Sequence, residues 1–88
     1  MPFTVYILQS EKNGRYYVGQ SNNLQGRLDK HNRGEVRSTK PGRPWVLKYA
    51  ELVETRSQAV QRERQIKSRK KRNYIDSLIA SSERSAAR

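Results

Sequence analysis

Two tyrosines near the start of the sequence, Tyr6 and Tyr17, lie on either side of an Asn13-Gly14 pair. Because Asn-Gly favours the tight turn of a β-hairpin, the segments around the tyrosines are predicted to pair as antiparallel strands. A tyrosine on each strand can place two phenol oxygens on one face of the sheet. A phenol donates and accepts hydrogen bonds, and as a tyrosinate it can act as a general base. These two side chains are therefore the first candidates for chemistry.

Packing is the alternative role for the strand tyrosines, since aromatic side chains commonly stabilise sheets through cross-strand contacts. Successive side chains along a strand point to opposite faces, so only one of Tyr16 and Tyr17 can share the face of Tyr6. A chemical role for the pair therefore requires further polar groups beside it.

Three residues on predicted helices could supply those groups. Arg27 and His31 lie one helical turn apart, beside an apolar stripe that should pack on the hairpin. Glu63 is the single acid in a segment rich in lysine and arginine. Its neighbours on the same helical face are Ala59 and Ile66, which place its carboxylate towards the sheet. Burying an uncompensated carboxylate is costly, so a cation or a metal is expected beside it.

Each of these three residues also has an ordinary structural role. Arg27 could be solvated, and His31 could fill a half-buried position near the end of its helix. Glu63 could form an ion pair, for which the candidate partners are Arg62, Arg64 and Lys67. The alternatives stay open for each residue taken singly.

The chain is strongly basic, with 19 lysines and arginines against 8 aspartates and glutamates in 88 residues, and its formal net charge is +11. A chain of this length forms one small domain, so the charges must share one surface. Such a surface favours a polyanionic partner. Nucleic acid is preferred to a membrane surface, because no strongly apolar amphipathic face accompanies the charges. No obligate protein partner is evident.

Composition also excludes several classes of site. The sequence has no cysteine, so it offers no disulfide or thiolate site, and its single histidine rules out a site built from several histidines. No segment resembles a signal peptide or a membrane-spanning helix. We therefore expect a cytoplasmic protein.

The elements that must position these residues follow from residue patterns along the chain. Predicted strands cover 4–9, 15–19 and 45–53, and predicted helices cover 24–33, 55–70 and a stretch from about 72. The third strand is mostly apolar and is expected to be the best buried. The predicted fold is α+β, a single small domain with a three-stranded antiparallel sheet flanked by helices in the order β-β-α-β-α-α. Residues 1–80 would form the domain, and 81–88 would form a disordered basic tail.

Hydrolysis of a phosphodiester could use all of the candidate groups. The attacking water must lose a proton, a step for which a tyrosinate or a metal-bound hydroxide is suited. A hard divalent cation needs a carboxylate oxygen, and Mg²⁺ can use a single one because it keeps waters and takes further ligands from the phosphate. An arginine with fixed donors can stabilise the charge of the transition state.

The same residues stand at the spacings of a known family. Val5-Tyr6-Ile7-Leu8 resembles its first signature, Tyr17-Val18-Gly19 resembles its second, and Arg27, His31 and Glu63 fall at its helix positions. On these motifs, residues 3–80 resemble the GIY-YIG nuclease family, in its small single-domain branch of bacterial and archaeal proteins.

The resemblance implies a catalytic role for each of five residues. Tyr6 would help to activate the attacking water, and Tyr17 would hydrogen-bond near the scissile phosphate. Arg27 would stabilise the charge of the phosphorane, and His31 would orient groups or exchange protons. Glu63 would hold the metal, Mg²⁺ or Mn²⁺.

The sequence departs from the family pattern at a few positions. Thr4 and Val5 replace the glycine and isoleucine of the family name, and Val18 replaces the second isoleucine. Gln20 stands where some members have lysine, so a possible catalytic cation is absent there. Asn73 lies roughly where larger members keep an asparagine near the active site and is a further candidate.

A phosphate-contacting surface is predicted from cations of the loop at 35–44 and of the two later helices, together with the glycine of the second signature. Its residues are Gly19, Arg37, Lys40, Arg43, Lys67 and Arg69. We therefore expect a metal-dependent DNA endonuclease acting by in-line water attack, with single-stranded, duplex and branched DNA all open and RNA less favoured. The alternatives are a nucleic-acid-binding module with weak or no catalysis, and an RNA- or ribosome-associated protein.

Overall fold

The structure, a computed structural model, describes residues 2–68 and 72–86, with side chains described as far as residue 82. Its strands are β1 (Phe3–Ser10), β2 (Tyr16–Ser21) and β3 (Trp45–Val53), and its helices are α1 (Leu24–Arg33), α2 (Arg56–Ser68) and α3 (Arg72–Ala86). A short 3₁₀ turn, Lys40–Gly42, precedes β3. The predicted α+β class and the order β-β-α-β-α-α are confirmed. In the described ranges, no helix is long and apolar enough to span a membrane.

The Asn13-Gly14 turn joins β1 to β2, as the sequence predicts. Gly14 has a φ of 76°, a left-handed conformation that favours glycine, and its amide donates to the Ser10 carbonyl. The Asn13 side chain accepts a hydrogen bond from the Arg15 amide. Because the turn fixes the register of the hairpin, it also decides which side chains share a face of the sheet.

The sheet has β1 at its centre, in the order β2-β1-β3, and both pairings are antiparallel. One face packs against α2 and α3 through a buried apolar cluster formed by Val5, Ile7, Val18, Ala59, Ile66 and Ile79. The other face packs against α1 through a second cluster formed by Tyr6, Leu8, Tyr17, Leu24, Leu28 and Trp45. The sheet therefore separates an ordinary apolar core from a face that carries both signature tyrosines.

The prediction that the third strand is the best buried is wrong, because β3 is an edge strand. It pairs only with β1, and Leu52 on β3 is 74% exposed. The central strand supplies the fully buried side chains Val5, Tyr6, Ile7 and Leu8. An apolar composition shows that a strand favours burial, but it does not show which strand has a neighbour on each side. Trp45, at the start of β3, is buried as expected.

Both ends of α1 are fixed by the capping residues that the sequence predicts. The Asn23 side chain accepts a hydrogen bond from the Gly26 amide at the first turn. Gly34 ends the helix in the left-handed conformation, with a φ of 80°, and its amide donates to the His31 carbonyl. These caps fix the rotation of α1 about its axis, so that His31 faces the sheet.

α2 begins with the predicted capping box, in which Thr55 and Gln58 exchange hydrogen bonds of 3.2 Å. It is fastened to β3 by Arg62, whose Nε lies 3.0 Å from each carboxylate oxygen of Glu51. α3 continues through Ala86, beyond the predicted start of a disordered tail. Alanine, glutamate and arginine in that segment favour a helix and account for the extension. The domain boundary at residue 80 stays a prediction.

The loop 35–44 is tied to the rest of the fold. The Ser10 hydroxyl donates to the Gly42 carbonyl, and the Trp45 indole donates to the Thr39 carbonyl at 2.8 Å. Both donors lie at the ends of strands, so the loop is held beside the sheet face that packs against α1.

The difference in burial between α2 and the edge strand β3 leads to a stability prediction. Ile66→Ala removes a side chain that is 1% exposed and should lower the free energy of unfolding by about 2–5 kcal/mol, measured by urea denaturation. Leu52→Ala is the matched control, and because Leu52 is exposed on the edge strand it should change that free energy by less than about 0.5 kcal/mol. An equal loss in both variants would contradict the placement of β3 at the edge.

Candidate active site

Tyr6 and Tyr17 share the sheet face that packs against α1. The hairpin register points the two side chains the same way, and their ring centroids are 6.4 Å apart. Tyr16 points to the other face, where its hydroxyl donates to Asp76 of α3. Of the two adjacent tyrosines on β2, Tyr17 is therefore the one that can act with Tyr6.

Gly19 makes room for the phenol of Tyr6. A Cβ atom on Gly19 would lie 2.7 Å from the Tyr6 hydroxyl oxygen and 3.0 Å from Cε2 of Tyr17. Glycine is therefore required at this position by the close approach of two aromatic side chains. In the structure Gly19 is buried beside Tyr6, and its predicted contact with nucleic acid stays a prediction.

His31 is fully buried, not half-buried as its place near a helix end suggested. Its Nε2 lies 3.1 Å from the Tyr6 hydroxyl oxygen, and its Nδ1 lies 2.8 Å from Oγ1 of Thr39. The ring also packs edge-on against Tyr17, with centroids 4.9 Å apart. Thr39 belongs to the loop 35–44, so the burial of His31 is completed by a segment distant from the hairpin.

Burial and nearby charge set the ionisation of the central pair. Burial raises the pKa of Tyr6, while a hydrogen bond and the positive charge of Arg27 act in the opposite direction. Burial lowers the pKa of His31, and the charge of Arg27 lowers it further. Both shifts favour the uncharged side chain at pH 7. The centre of the site is therefore a neutral phenol bonded to a neutral imidazole, with Arg27 beside them.

Glu63 approaches the same phenol from α2. This helix packs on the opposite face of the sheet beside β2, yet the negative charge of Glu63 helps to raise the pKa of Tyr6. The carboxylate therefore lies at the open edge of β2, where the two faces meet. Its side chain is 24% exposed, and Lys67 Nζ lies 3.2 Å from Oε2. Lys67 is thus the ion-pair partner, whereas Arg62 binds Glu51.

Glu63 can anchor a metal only with help from other ligands. Within the described ranges, no group of three or more histidine, aspartate or glutamate side chains could hold a metal ion. Mg²⁺ tolerates a single protein carboxylate because it keeps several waters and binds substrate phosphate. A partly exposed carboxylate at the edge of the sheet fits that requirement. Lys67 would have to release Glu63 when a cation binds.

The other predicted contacts in the described residues are exposed side chains of the loop 35–44 and of α3. Lys40 and Arg43 line an open pocket of about 610 Å³ with Lys12, on the hairpin-turn side of the fold. Arg37 is exposed in the loop, and Asn73 is exposed in the first turn of α3. Arg69 lies outside the described residues. These predicted contacts therefore differ in exposure from Tyr6 and His31, which are fully buried.

Two residues that the sequence analysis did not assign belong to the site. Thr39 binds His31, and Arg56 lines a pocket of about 330 Å³ with Arg27 and Gln20 at the end of β2. Arg56 could have been found from the sequence, because it precedes Glu63 by two helical turns and so lies on the same face of α2. No local pattern connects Thr39 with His31, because their contact depends on the path of the loop.

Comparisons with known proteins identify relatives of this chain. A family model for the GIY-YIG catalytic domain matches residues 2–76. The UPF0213 proteins of Staphylococcus aureus strains N315 and MW2 are each 42% identical over 65 residues, covering 73% of this chain and 78% of theirs. A solution NMR structure of a UPF0213 protein from Bacillus halodurans is similar with a TM-score of 0.57 and 25% identity, over 91% of this chain and 84% of that one.

The contact between Gly19 and Tyr6 predicts the effect of adding a methyl group. Gly19→Ala should lower the free energy of unfolding by about 1–3 kcal/mol, because it forces Tyr6 or β2 to shift. In a Tyr6→Leu background the same substitution should cost less, because both Tyr6 atoms nearest to the added Cβ, the hydroxyl oxygen at 2.7 Å and Cζ at 2.8 Å, are gone. Chemical denaturation of the four proteins measures this coupling. Strictly additive effects would show that Gly19 does not position the phenol.

Proposed function

The chain belongs to the GIY-YIG family, and we propose on that basis that it is a metal-dependent DNA endonuclease that hydrolyses a phosphodiester by in-line attack of water. Membership implies nuclease chemistry and a nucleic-acid substrate. The observation that carries the proposal is the cluster of phenols, imidazole, guanidinium and carboxylate around Tyr6, on a domain with a net charge of +11.

Two neighbours of Tyr6, the cation Arg27 and the phenol Tyr17, can each bind the reacting phosphate. Arg27 is fixed on a capped helix and is a permanent donor, so it can stabilise the charge that develops on the phosphorane. Tyr17 is partly exposed and can donate a hydrogen bond to the same phosphate. Tyr6 is the proton acceptor for the attacking water, with His31 as the next acceptor behind it.

The burial of Tyr6 places a condition on this mechanism. Tyr6 is 0% exposed, so water does not contact its oxygen in the substrate-free fold. Its neighbours Arg27 and Tyr17 are only partly buried and can move towards a bound phosphate. Movement of either side chain would open a path to Tyr6. The substrate itself therefore exposes the base, which limits reaction of the free protein with solvent.

Glu63 would hold Mg²⁺ or Mn²⁺, and the cation would polarise the phosphate and offset its developing charge. Lys67, once released from the carboxylate, becomes a phosphate contact at the same edge. The predicted role of Lys67 in nucleic-acid binding is therefore proposed to follow metal binding.

One strand of the substrate is proposed to run along the edge of β2. Arg56 and Lys67 flank Glu63 on one face of α2, about 10 and 6 Å away along the helix axis. Arg56 and Arg27 line the pocket at the end of β2 from opposite sides of the sheet. Cations thus lie on both sides of the carboxylate, as a polyanionic strand passing over it requires. Lys40, Arg43, Arg37 and Arg69 would contact more distant phosphates.

A second candidate function is nucleic-acid binding without hydrolysis. The burial of Tyr6 and the existing ion pair between Glu63 and Lys67 are the observations that favour it. In that case the basic surface would bind phosphates with little sequence preference and strong salt dependence. Neither Tyr6 nor Glu63 would then matter for the measured activity.

Cleavage assays separate the two functions. Purified protein with Mg²⁺ or Mn²⁺ should cut at least one of labelled single-stranded, duplex and branched DNA, and a chelator should stop the reaction. Glu63→Gln should reduce the rate by about 100-fold or more, the size of effect expected for a group that stabilises transition-state charge. Glu35→Gln, which alters an exposed carboxylate paired with Arg33, should retain full activity. Binding without cleavage of any substrate would select the second function.

The proposed strand path predicts a specific role for Arg56. In a Glu63→Gln background, Arg56→Gln should weaken DNA binding and reduce the slope of log affinity against log salt by about 1, as expected for one lost phosphate contact. Arg64→Gln is the matched control, since Arg64 is an exposed arginine of the same helix outside the pocket. The slope is measured by fluorescence anisotropy at several salt concentrations. Equal changes in both variants would argue against the path.

A further inference from the structure

A continuous chain of hydrogen bonds runs from Tyr6, the proposed base, into the loop 35–44. Tyr6 bonds to Nε2 of His31 at 3.1 Å, and Nδ1 of His31 bonds to the Thr39 hydroxyl at 2.8 Å. The Thr39 hydroxyl lies 3.3 Å from the Val36 carbonyl, to which it donates. Tyr6, His31 and Thr39 are all at most 1% exposed, so solvent does not compete for these bonds.

The Val36 carbonyl at one end of this chain of hydrogen bonds fixes the direction of each bond in it. The Val36 carbonyl can only accept, so the Thr39 hydroxyl proton points to it and the oxygen is free to accept from His31. At the other end, the Tyr6 hydroxyl carries a proton that needs an acceptor, and the neighbouring Arg27 guanidinium can only donate. Nδ1 of His31 therefore donates to Thr39, which leaves Nε2 as the acceptor of the Tyr6 proton.

The reverse arrangement is less well satisfied. If Nδ1 of His31 accepted from Thr39, the Thr39 oxygen and the Val36 carbonyl would face each other without a proton between them. Nε2 would then donate to Tyr6, whose own buried proton would need another acceptor. Buried polar groups are almost always paired, so the arrangement with all protons placed is favoured.

We infer that Thr39 is a positioning residue that holds His31 as the Nδ1–H tautomer, so that Nε2 accepts the proton of the Tyr6 phenol. The hydrogen bond at one imidazole nitrogen decides which nitrogen carries the proton. Thr39 thereby gives the proton transfer from Tyr6 its direction. The mechanistic part of this inference rests on the proposed nuclease function, whereas the tautomer itself does not.

The step balances as a relay of two protons. The water oxygen forms a bond to phosphorus while the bond from phosphorus to the leaving oxygen breaks. The water proton passes to the Tyr6 oxygen, and the original Tyr6 proton passes to Nε2 of His31. His31 becomes an imidazolium that keeps its Nδ1 bond to Thr39, and the leaving oxygen takes a proton from solvent. Arg27, Tyr17 and Glu63 are the charged or titratable groups that surround Tyr6 during this step.

The tautomer can be measured directly because His31 is the only histidine in the chain. In protein labelled with ¹⁵N and ¹³C, the imidazole ¹⁵N and ¹³Cδ2 chemical shifts at neutral pH should be those of the Nδ1–H form. Thr39→Val should shift the population away from that form, and Thr39→Ser, which keeps the hydroxyl, should restore it. An Nε2–H tautomer in the wild type would overturn the inference without any need for a variant.

Kinetics test the consequence for the reaction. Thr39→Val should lower kcat by roughly 10- to 100-fold with little change in KM, by analogy with the loss of an outer hydrogen-bond partner from a metal-binding histidine. Thr39→Ser should recover most of the loss. Thr4→Val is the control, since it makes the same change on β1 at a residue that does not bond to His31. Thermal unfolding confirms that each variant is folded.

The two sets of measurements separate the possible failures. If no protein in the series cuts DNA but the Nδ1–H form is present and depends on the Thr39 hydroxyl, the proposed nuclease function fails and the positioning role stands. If the wild type cuts DNA and Thr39→Val changes neither the tautomer nor kcat, the positioning role is wrong and the nuclease function stands.

Discussion

The burial of the Tyr6 phenol is the constraint on which the rest of the site depends. A buried hydroxyl needs a hydrogen-bond partner, and His31 provides it. His31 is itself buried, so its second nitrogen needs Thr39, whose hydroxyl is satisfied by the Val36 carbonyl. In the described part of the chain, no buried side-chain polar atom lacks a partner. Each buried polar group thus needs the next one as its hydrogen-bond partner, and the chain of bonds ends at the Val36 carbonyl in the loop 35–44.

This dependence explains why an irregular loop is part of the site. The loop is anchored by Ser10 at the end of the central strand and by the indole of Trp45 at the start of the edge strand. The same indole bonds to the backbone carbonyl of Thr39, so one residue is held at both its backbone and its side chain. A loop fixed in this way can hold a side chain in place, because the two bonds that anchor it are buried.

The sequence predicts features whose signals are local. The Asn13-Gly14 turn, the cap at Gly34 and the capping box at Thr55 all depend on residues close together in the chain, and each is present. The shared face of Tyr6 and Tyr17 also follows from strand parity once the turn is known. By contrast, the edge position of β3, the full burial of His31 and the contact with Thr39 depend on packing between distant segments. No spacing in the sequence encodes them.

The distribution of charge separates binding from chemistry in this fold. With a net charge of +11, binding to a polyanion needs no special arrangement, because counterion release favours it over much of the surface. Affinity therefore says little about what the protein does. In the proposed mechanism, the groups that would distinguish catalysis from binding are the buried Tyr6 and His31 and the carboxylate of Glu63. Since Arg27 disfavours the imidazolium form of His31, a phosphate that pairs with Arg27 would strengthen His31 as a base at the moment the substrate arrives.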